Sequence, residues 1–371
     1  MKNVFFVLLS VIISSCQTQS MIPDTIEVDL DKKAVNDVAN LFEIKELIPI
    51  EANQPTISDI TKVRIYDDNI YILDKLQKKI LSVDIDNRKV TDFINKQGLA
   101  KNEYLNIEDF DIASDGCVLI LDDESRKILV YDKDGNYKRI IRSVNGNSLA
   151  VSDNGTIGLH NYLTEKDENV RILSSDGKTK YVIRCENDMV KHKIYNGNEI
   201  IANGNDFYFC NPFDFNVYKI ENETKQAVAQ FNFGKRQGDI DKIRDMNVKE
   251  FIRFFQKNRD ITNIEHLNIY DGYILFSTSN CDQVLFEIKT NKVVCLSNMD
   301  NPYGILFTSP ITIDKQGYFY IFISESNIRN ALIPFIKNGG NVPQTIQNIT
   351  ENEYSKAQYW LLKGKFSAHK K

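Results

Sequence analysis

The chain has 371 residues, 42% hydrophobic and 26% charged, enough apolar surface to form a folded core, which excludes intrinsic disorder. Its 46 Lys and Arg against 51 Asp and Glu are mixed along the chain, so no basic stripe exists for phosphate backbones and nucleic acid is excluded as a partner. The length exceeds a typical single core, yet a repeat architecture reaches it as one domain because each unit packs mainly on its neighbours.

Met1-Lys2-Asn3 is a short cationic start, and the apolar run at 4–13 that follows is too short to anchor in a bilayer. Ser14-Ser15-Cys16 comes directly after it. This order resembles the lipobox of bacterial lipoproteins, and the resemblance implies that cleavage leaves Cys16 as a lipid-bearing amino terminus. Residues 1–15 are then a signal peptide and 16–24 a lipid-attached tether, with the folded body at 25–371. The expected address is the cell envelope, at the outer membrane. Gln17-Thr18-Gln19-Ser20 lacks the acidic cluster of surface-exported relatives, which favours a body facing the periplasm.

Residues 25–30 read as extended, 33–41 as a brief helix and 42–51 as a strand. From there the chain repeats one pattern, in which short alternating strands are separated by Asp-Gly, Asn-Gly or acidic turns. The clearest copy is 105–142, where Asp115-Gly116, Asp122-Asp123-Glu124-Ser125 and Asp134-Gly135 divide four strands. Asp132 to Asn136 reads as a hairpin turn, not a calcium loop, and Asp67-Asp68 and Asp122-Asp123-Glu124 as solvated turns. Other copies occupy 57–94, 148–184, 190–233 and 264–296, and a sixth starts at 305. One such sheet cannot hide both its faces, so the copies must stack.

The first strands align with Arg64, Asp111, Ala150, Lys193, Asn268 and Thr312 in register. One long interval is explained by an insertion at 235–262, where Val248, Phe251, Ile252 and Phe255 have helical spacing and Asn247 with Glu250 forms a capping signature. The last unit supplies only three strands, ending with 357–366, while 42–51 has no sheet of its own. Joining those two closes the ring and removes its unpaired edges. The fold predicted is all-β: a six-bladed β-propeller of four-stranded antiparallel blades, closed by an N-terminal strand, with a small helical insertion between blades 4 and 5.

The chain resembles the six-bladed β-propeller lipoproteins of Bacteroidota, with the architecture of NHL and TolB-like propellers. The resemblance rests on the lipobox, Leu47-Ile48-Pro49-Ile50-Glu51, Ile70-Tyr71-Ile72-Leu73-Asp74, Val118-Leu119-Ile120-Leu121-Asp122, the loop from Gly98 to Glu103-Tyr104, and Tyr359-Trp360-Leu361-Leu362-Lys363. It implies an envelope lipoprotein and assigns no activity.

Inner strands lie nearest the axis, so Lys62, Arg64, Asp109, Asp111, Lys191, Lys193, His266 and Asn268 are the candidates for a funnel that takes a polar ligand. The simpler reading is that these charges pair and hold the blades in register. Asp109, Asp111 and Asn268 offer oxygen ligands, but the lysines and arginine at equivalent positions repel calcium, and the four histidines lack zinc spacing, so no metal and no cofactor is expected. No nucleophile motif is present. Glu103, Tyr104, Phe251, Phe254 and Phe255 are the candidates for a partner face, because both connections fall between an outer strand and the next inner one. For the helix, packing on the blade tops is the competing role. Cys281 and Cys295, flanking one hairpin, are the pair to test for a disulfide. The expected function is a lipid-anchored binding or assembly scaffold for a protein, peptide or glycan; the alternative is a lyase or hydrolase with its site in the funnel.

Overall fold

The computed structural model describes residues 24–32, 41–51, 55–161, 169–184, 200–243, 246–257, 260–298, 311–340 and 357–366. Cys16, Lys191, Lys193 and most of the short helix expected at 33–41 lie outside the described residues. The chain starts with β1 (Thr25–Glu27) and β2 (Phe42–Glu51). Blade 1 follows as β3 (Lys62–Tyr66), β4 (Asn69–Asp74), β5 (Lys79–Asp84) and β6 (Lys89–Ile94). Blade 2 is β7 (Asp109–Ile112), β8 (Val118–Asp122), β9 (Lys127–Tyr131) and β10 (Tyr137–Arg142). Blade 3 is β11 (Ser148–Val151), β12 (Ile157–His160), β13 (Val170–Leu173) and β14 (Thr179–Ile183).

Blade 4 contains β15 (Ile200–Asn203), β16 (Asp206–Phe209), β17 (Asn216–Glu221) and β18 (Thr224–Asn232). Blade 5 contains β19 (Ile264–Tyr270), β20 (Tyr273–Thr278), β21 (Gln283–Glu287) and β22 (Lys292–Cys295). Blade 6 is β23 (Ile311–Ile313), β24 (Tyr318–Ser324) and β25 (Ala357–Phe366), completed on its outer edge by β2. Each blade is an antiparallel meander, and the inner strands β3, β7, β11, β15, β19 and β23 neighbour one another in sequence order, with β23 returning to β3. The six-bladed ring is therefore closed as the alternation requires.

Local chemistry sets the turns. Asp67 and Asp68 both hold positive φ, 46° and 57°, in a two-residue hairpin. Asp132 Oδ1 accepts from the backbone nitrogens of Asp134 and Asn136, at 3.0 and 2.8 Å, which makes that stretch the turn expected of it. Packing lies between blades: Leu73 and Ile80 of blade 1 share a core with Phe110, Ile120 and Tyr131 of blade 2. At the rim, Gly317 stands at φ 81° with the ring of Tyr270 from the preceding blade where a Cβ would go. Gly317→Ala is expected to cost about 2 kcal/mol, from the left-handed backbone alone and more from the displaced ring, read as a lowered urea midpoint.

In the closure, Leu47 pairs with Leu362, Ile48 with Leu361 and Pro49 with Trp360. Pro49 is tolerated because β2 is an edge strand. The extended segment expected at 25–30 contains β1, whose partner had no sequence signal: it adds in parallel to β18 as a fifth strand of blade 4, and Val28 and Leu30 just after it are buried with Phe231 and Phe233.

The described inner strand of blade 4 is Ile200–Asn203, which turns at Gly204 with Ile200 buried; its predicted start at 190, with Lys191 and Lys193, lies outside the described residues. Among the described residues, helical turns occur in three connections that follow blade 4. Between blades 4 and 5 lie a 3-10 turn (Gly234–Arg236), α1 (Ile240–Ile243) and α2 (Val248–Lys257); a 3-10 turn (Leu296–Asn298) lies between blades 5 and 6; and helical residues 325–337 separate β24 from β25.

Candidate functional site

Side chains two residues apart on an inner strand lie on the same side of it, so Lys62 with Arg64, and Asp109 with Asp111, form two tiers across neighbouring blades. In the first tier Lys62 Nζ donates to Asp109 Oδ2 at 2.8 Å and to the Leu149 carbonyl at 3.3 Å. Asp109 Oδ2 also accepts from Ser148 Oγ at 3.0 Å and Leu149 N at 2.7 Å, and Ser148 Oγ accepts from Ile200 N at 3.2 Å. One buried network thus ties blades 1, 2, 3 and 4. In the second tier Arg64 Nε donates to Asp111 Oδ1 at 2.8 Å, while Asp111 Oδ2 accepts from Val151 N at 2.8 Å.

The ring's other side uses uncharged groups. Asn268 Nδ2 donates to the carbonyls of Ile311 and His266, both at 2.9 Å, and Thr312 Oγ1 donates to the Val63 carbonyl at 3.3 Å. His266 sits at φ 50° in the irregularity of β19 between Glu265 and Asn268. The candidates at the axis are therefore structural first: they hold blades in register. Both Asp111 oxygens accept hydrogen bonds, and the Asn268 amide nitrogen donates to two carbonyls. Among the described residues no group of His, Cys, Asp and Glu is placed to hold a metal ion.

Beyond the second tier the channel widens into a cavity of about 390 Å³. Arg64 and Asp111 line it, and each blade contributes an aliphatic residue: Ile65, Ile112, Val151, Ile201, Ile269 and Ile313. Its lining continues into the turns after the inner strands, with Asp153 from blade 3 and Asp314 and Lys315 from blade 6. Lys315 Nζ meets Asp153 Oδ1 at 2.6 Å, joining blades that face each other across the ring. Asp314 is held by its own blade, since Oδ1 accepts from Gln316 N and Tyr318 N and Oδ2 accepts from the Tyr320 hydroxyl. Burial and the Asp314 charge push the Tyr320 phenol well above its ordinary range. Lys315 and Asp153 escaped the sequence reading because only strand positions were aligned; the Asp-Lys-Gln-Gly and Asp-Asn-Gly turns just beyond were the available signal.

The partner-face candidates lie at the opposite end of the channel, because their connections enter the inner strands that the cavity's turns leave. Tyr104 is not a surface residue: it is fully buried, its hydroxyl donates to the Lys78 carbonyl at 2.9 Å and accepts from Lys96 N at 3.1 Å. Glu103 Oε2 accepts from Ala100 N at 2.8 Å and fills the space beside Gly98, so it closes the loop. Burial lifts the Tyr104 phenol from 10.0 to about 12. A raised phenol stabilises the fold fully below pH 10, and that contribution is lost as pH rises toward 12. Urea midpoints are expected to fall across that window, and less steeply in Tyr104→Phe.

The helix α2 is capped as its sequence requires: Asn247 Oδ1 accepts from Lys249 N and Glu250 N at 3.0 and 3.1 Å, and Glu250 Oε2 accepts from Asn247 N at 2.9 Å. Phe251 packs with Ile243 and with Phe213 of blade 4, and Phe254 lies partly buried beside them. The side chain of Phe255 is outside the described set. Of the stripe, Phe251 thus packs on the blade, and the side chains of Val248 and Ile252 also lie outside the described set. Asp122, expected to be solvated, is fully buried: its oxygens accept from Leu105 N at 3.0 Å and Ser125 N at 3.1 Å beside Lys127. Cys281 is exposed in a turn and Cys295 is buried in the core, and no disulfide joins them.

The family described as "Domain of unknown function (DUF4934)" matches residues 24–353. No curated protein matches. Among solved structures, a Bacteroides fragilis protein assigned to export by its name alone aligns with a TM-score of 0.71 at 12% identity, over 93% of this chain and 100% of its own. A member of the DUF4221 family from Bacteroides vulgatus aligns with a TM-score of 0.55 at 11% identity, over 88% of this chain and 98% of its own. These likenesses establish a shared propeller fold.

Proposed function

The chain belongs to the DUF4934 family, and we propose that it is a lipid-anchored binding or assembly scaffold of the cell envelope, taking a protein, peptide or glycan ligand at the channel mouth. The observation that carries this reading is the cavity of about 390 Å³, a size suited to a small ligand or chain end, with every blade contributing to its wall. The axial charges below it are already joined blade to blade, which supports a rigid receptor. Anchoring rests on Cys16 in its lipobox-like setting, and no described helix is long and apolar enough to cross a membrane. The body is proposed to face the periplasm from the outer membrane.

Two measurements test this. Cys16→Ala is expected to shift the protein from the membrane fraction to the soluble one. On glycan and peptide arrays the purified chain is expected to retain ligands that Asn203→Trp, which places an indole at the exposed mouth, no longer holds. Retention that ignores the tryptophan moves the site elsewhere, and turnover of a retained ligand makes the protein an enzyme.

A further inference from the structure

We propose that the channel mouth binds a small zwitterion of about dipeptide size, by parting the Lys315–Asp153 pair and giving each of the two a new counter-charge. The proposal rests on the mouth-binding reading above and names its ligand class. Lys315 and Asp153 come from the turns of blades 6 and 3, on opposite sides of a six-membered ring, so their 2.6 Å contact spans the opening of the cavity. Asp153 is held at its backbone, where its nitrogen donates to the Gly204 carbonyl at 2.9 Å and its carbonyl accepts from Ser114 Oγ at 2.8 Å. Only the two side chains need to swing.

The two side chains are 77% and 49% exposed, unlike Lys62 and Asp109 at 3% and 7%. A pair that wet contributes at most about 1 kcal/mol, so opening it costs little. An anion alone would take Lys315 and leave Asp153 without a partner, and a cation alone would do the reverse. A molecule carrying both charges satisfies both residues. Below the rim Ile65, Ile112, Val151, Ile201, Ile269 and Ile313 form an aliphatic wall, and the polar groups among them, Arg64, Asp111, Asn268 and Thr312, are already bonded from blade to blade. The complementary ligand has an ammonium and a carboxylate separated by a short aliphatic body.

Calorimetric titration of the full chain with dialanine, N-acetyl-dialanine and dialanine amide tests this at neutral pH. Dialanine is expected to bind, and each singly blocked form to bind at least about tenfold more weakly. Lys315→Gln and Asp153→Asn, both exposed and so expected to fold, should each weaken dialanine about tenfold or more, with unchanged melting temperature. Absence of dialanine binding at millimolar concentration, or equal binding of the blocked forms, overturns the proposal. A chain that ignores dialanine yet keeps an array ligand sensitive to Asn203→Trp retires the zwitterion and leaves the scaffold reading intact.

Discussion

Replacing Asp109 with alanine is expected to destabilise the propeller by about 3–5 kcal/mol, the cost of leaving a buried cation unpaired. Lys62 is 3% exposed, and its Nζ pairs with the Asp109 carboxylate at 2.8 Å. The same carboxylate also accepts from Ser148 Oγ and Leu149 N, so its loss leaves buried donors in blades 1 and 3 at once. Lys62→Met removes one donor and leaves Asp109 with three, Ser148 Oγ, Leu149 N and Phe110 N, so about 1–3 kcal/mol is expected. The double variant should cost less than the two singles together, since the unpaired lysine is gone. Asp176→Ala, which removes an exposed carboxylate paired with a lysine 85% exposed, is the control, and a midpoint far closer to that of the parent chain is expected. Urea unfolding of the four chains decides the matter. An Asp109→Ala midpoint no lower than that of Asp176→Ala would show that the axial pair does not hold the blades together.

The same residues show which parts of the fold are legible before coordinates. Blades 1 and 2 follow from alternation and turn residues because hairpin pairing is local, and the α2 capping box follows because its partners are three residues apart. The closure follows from counting strands, since 42–51 and blade 6 each lacked something the other had. In blade 4 Asn196-Gly197 and Asn203-Gly204 carry the same turn chemistry in sequence, and the described inner strand Ile200–Asn203 turns at the second. The parallel addition of β1 joins segments about 205 residues apart, for which no local signal exists.

The site was legible in part. Pairing of Lys62 with Asp109, and of Arg64 with Asp111, is what two tiers of opposite charge on adjacent blades imply. Tyr104 reads as an exposed loop aromatic because composition does not reveal that its hydroxyl reaches the backbone of Lys78 and Lys96. Asp122 reads as a solvated turn for a related reason: the donor it serves, Leu105 N, arrives from the connection before its blade. Lys315 and Asp153 meet only because six inner strands close into a circle, a condition that no pairwise alignment of repeats contains.

The closure makes the largest prediction. A chain starting at residue 55 is expected to lose its cooperative unfolding transition, because it lacks β2. That strand buries Phe42, Ile44, Leu47, Ile48 and Ile50, and five apolar side chains at about 1.5–3 kcal/mol each come to about 10 kcal/mol, comparable to the whole stability of a typical domain. Its removal also strips the partner from β25, whose Trp360, Leu361 and Leu362 are at most 1% exposed. A chain starting at residue 33 loses only β1, leaves all six blades with four strands, and should still unfold in one transition at a lower midpoint. Adding a synthetic peptide of residues 41–51 to the shorter chain should restore a transition whose midpoint rises with peptide concentration, since binding to the folded form alone shifts stability by mass action. Cooperative unfolding of the chain from residue 55 at the full-length midpoint, with no response to the peptide, would mean that the blades cohere without the strand that joins the two ends of the ring.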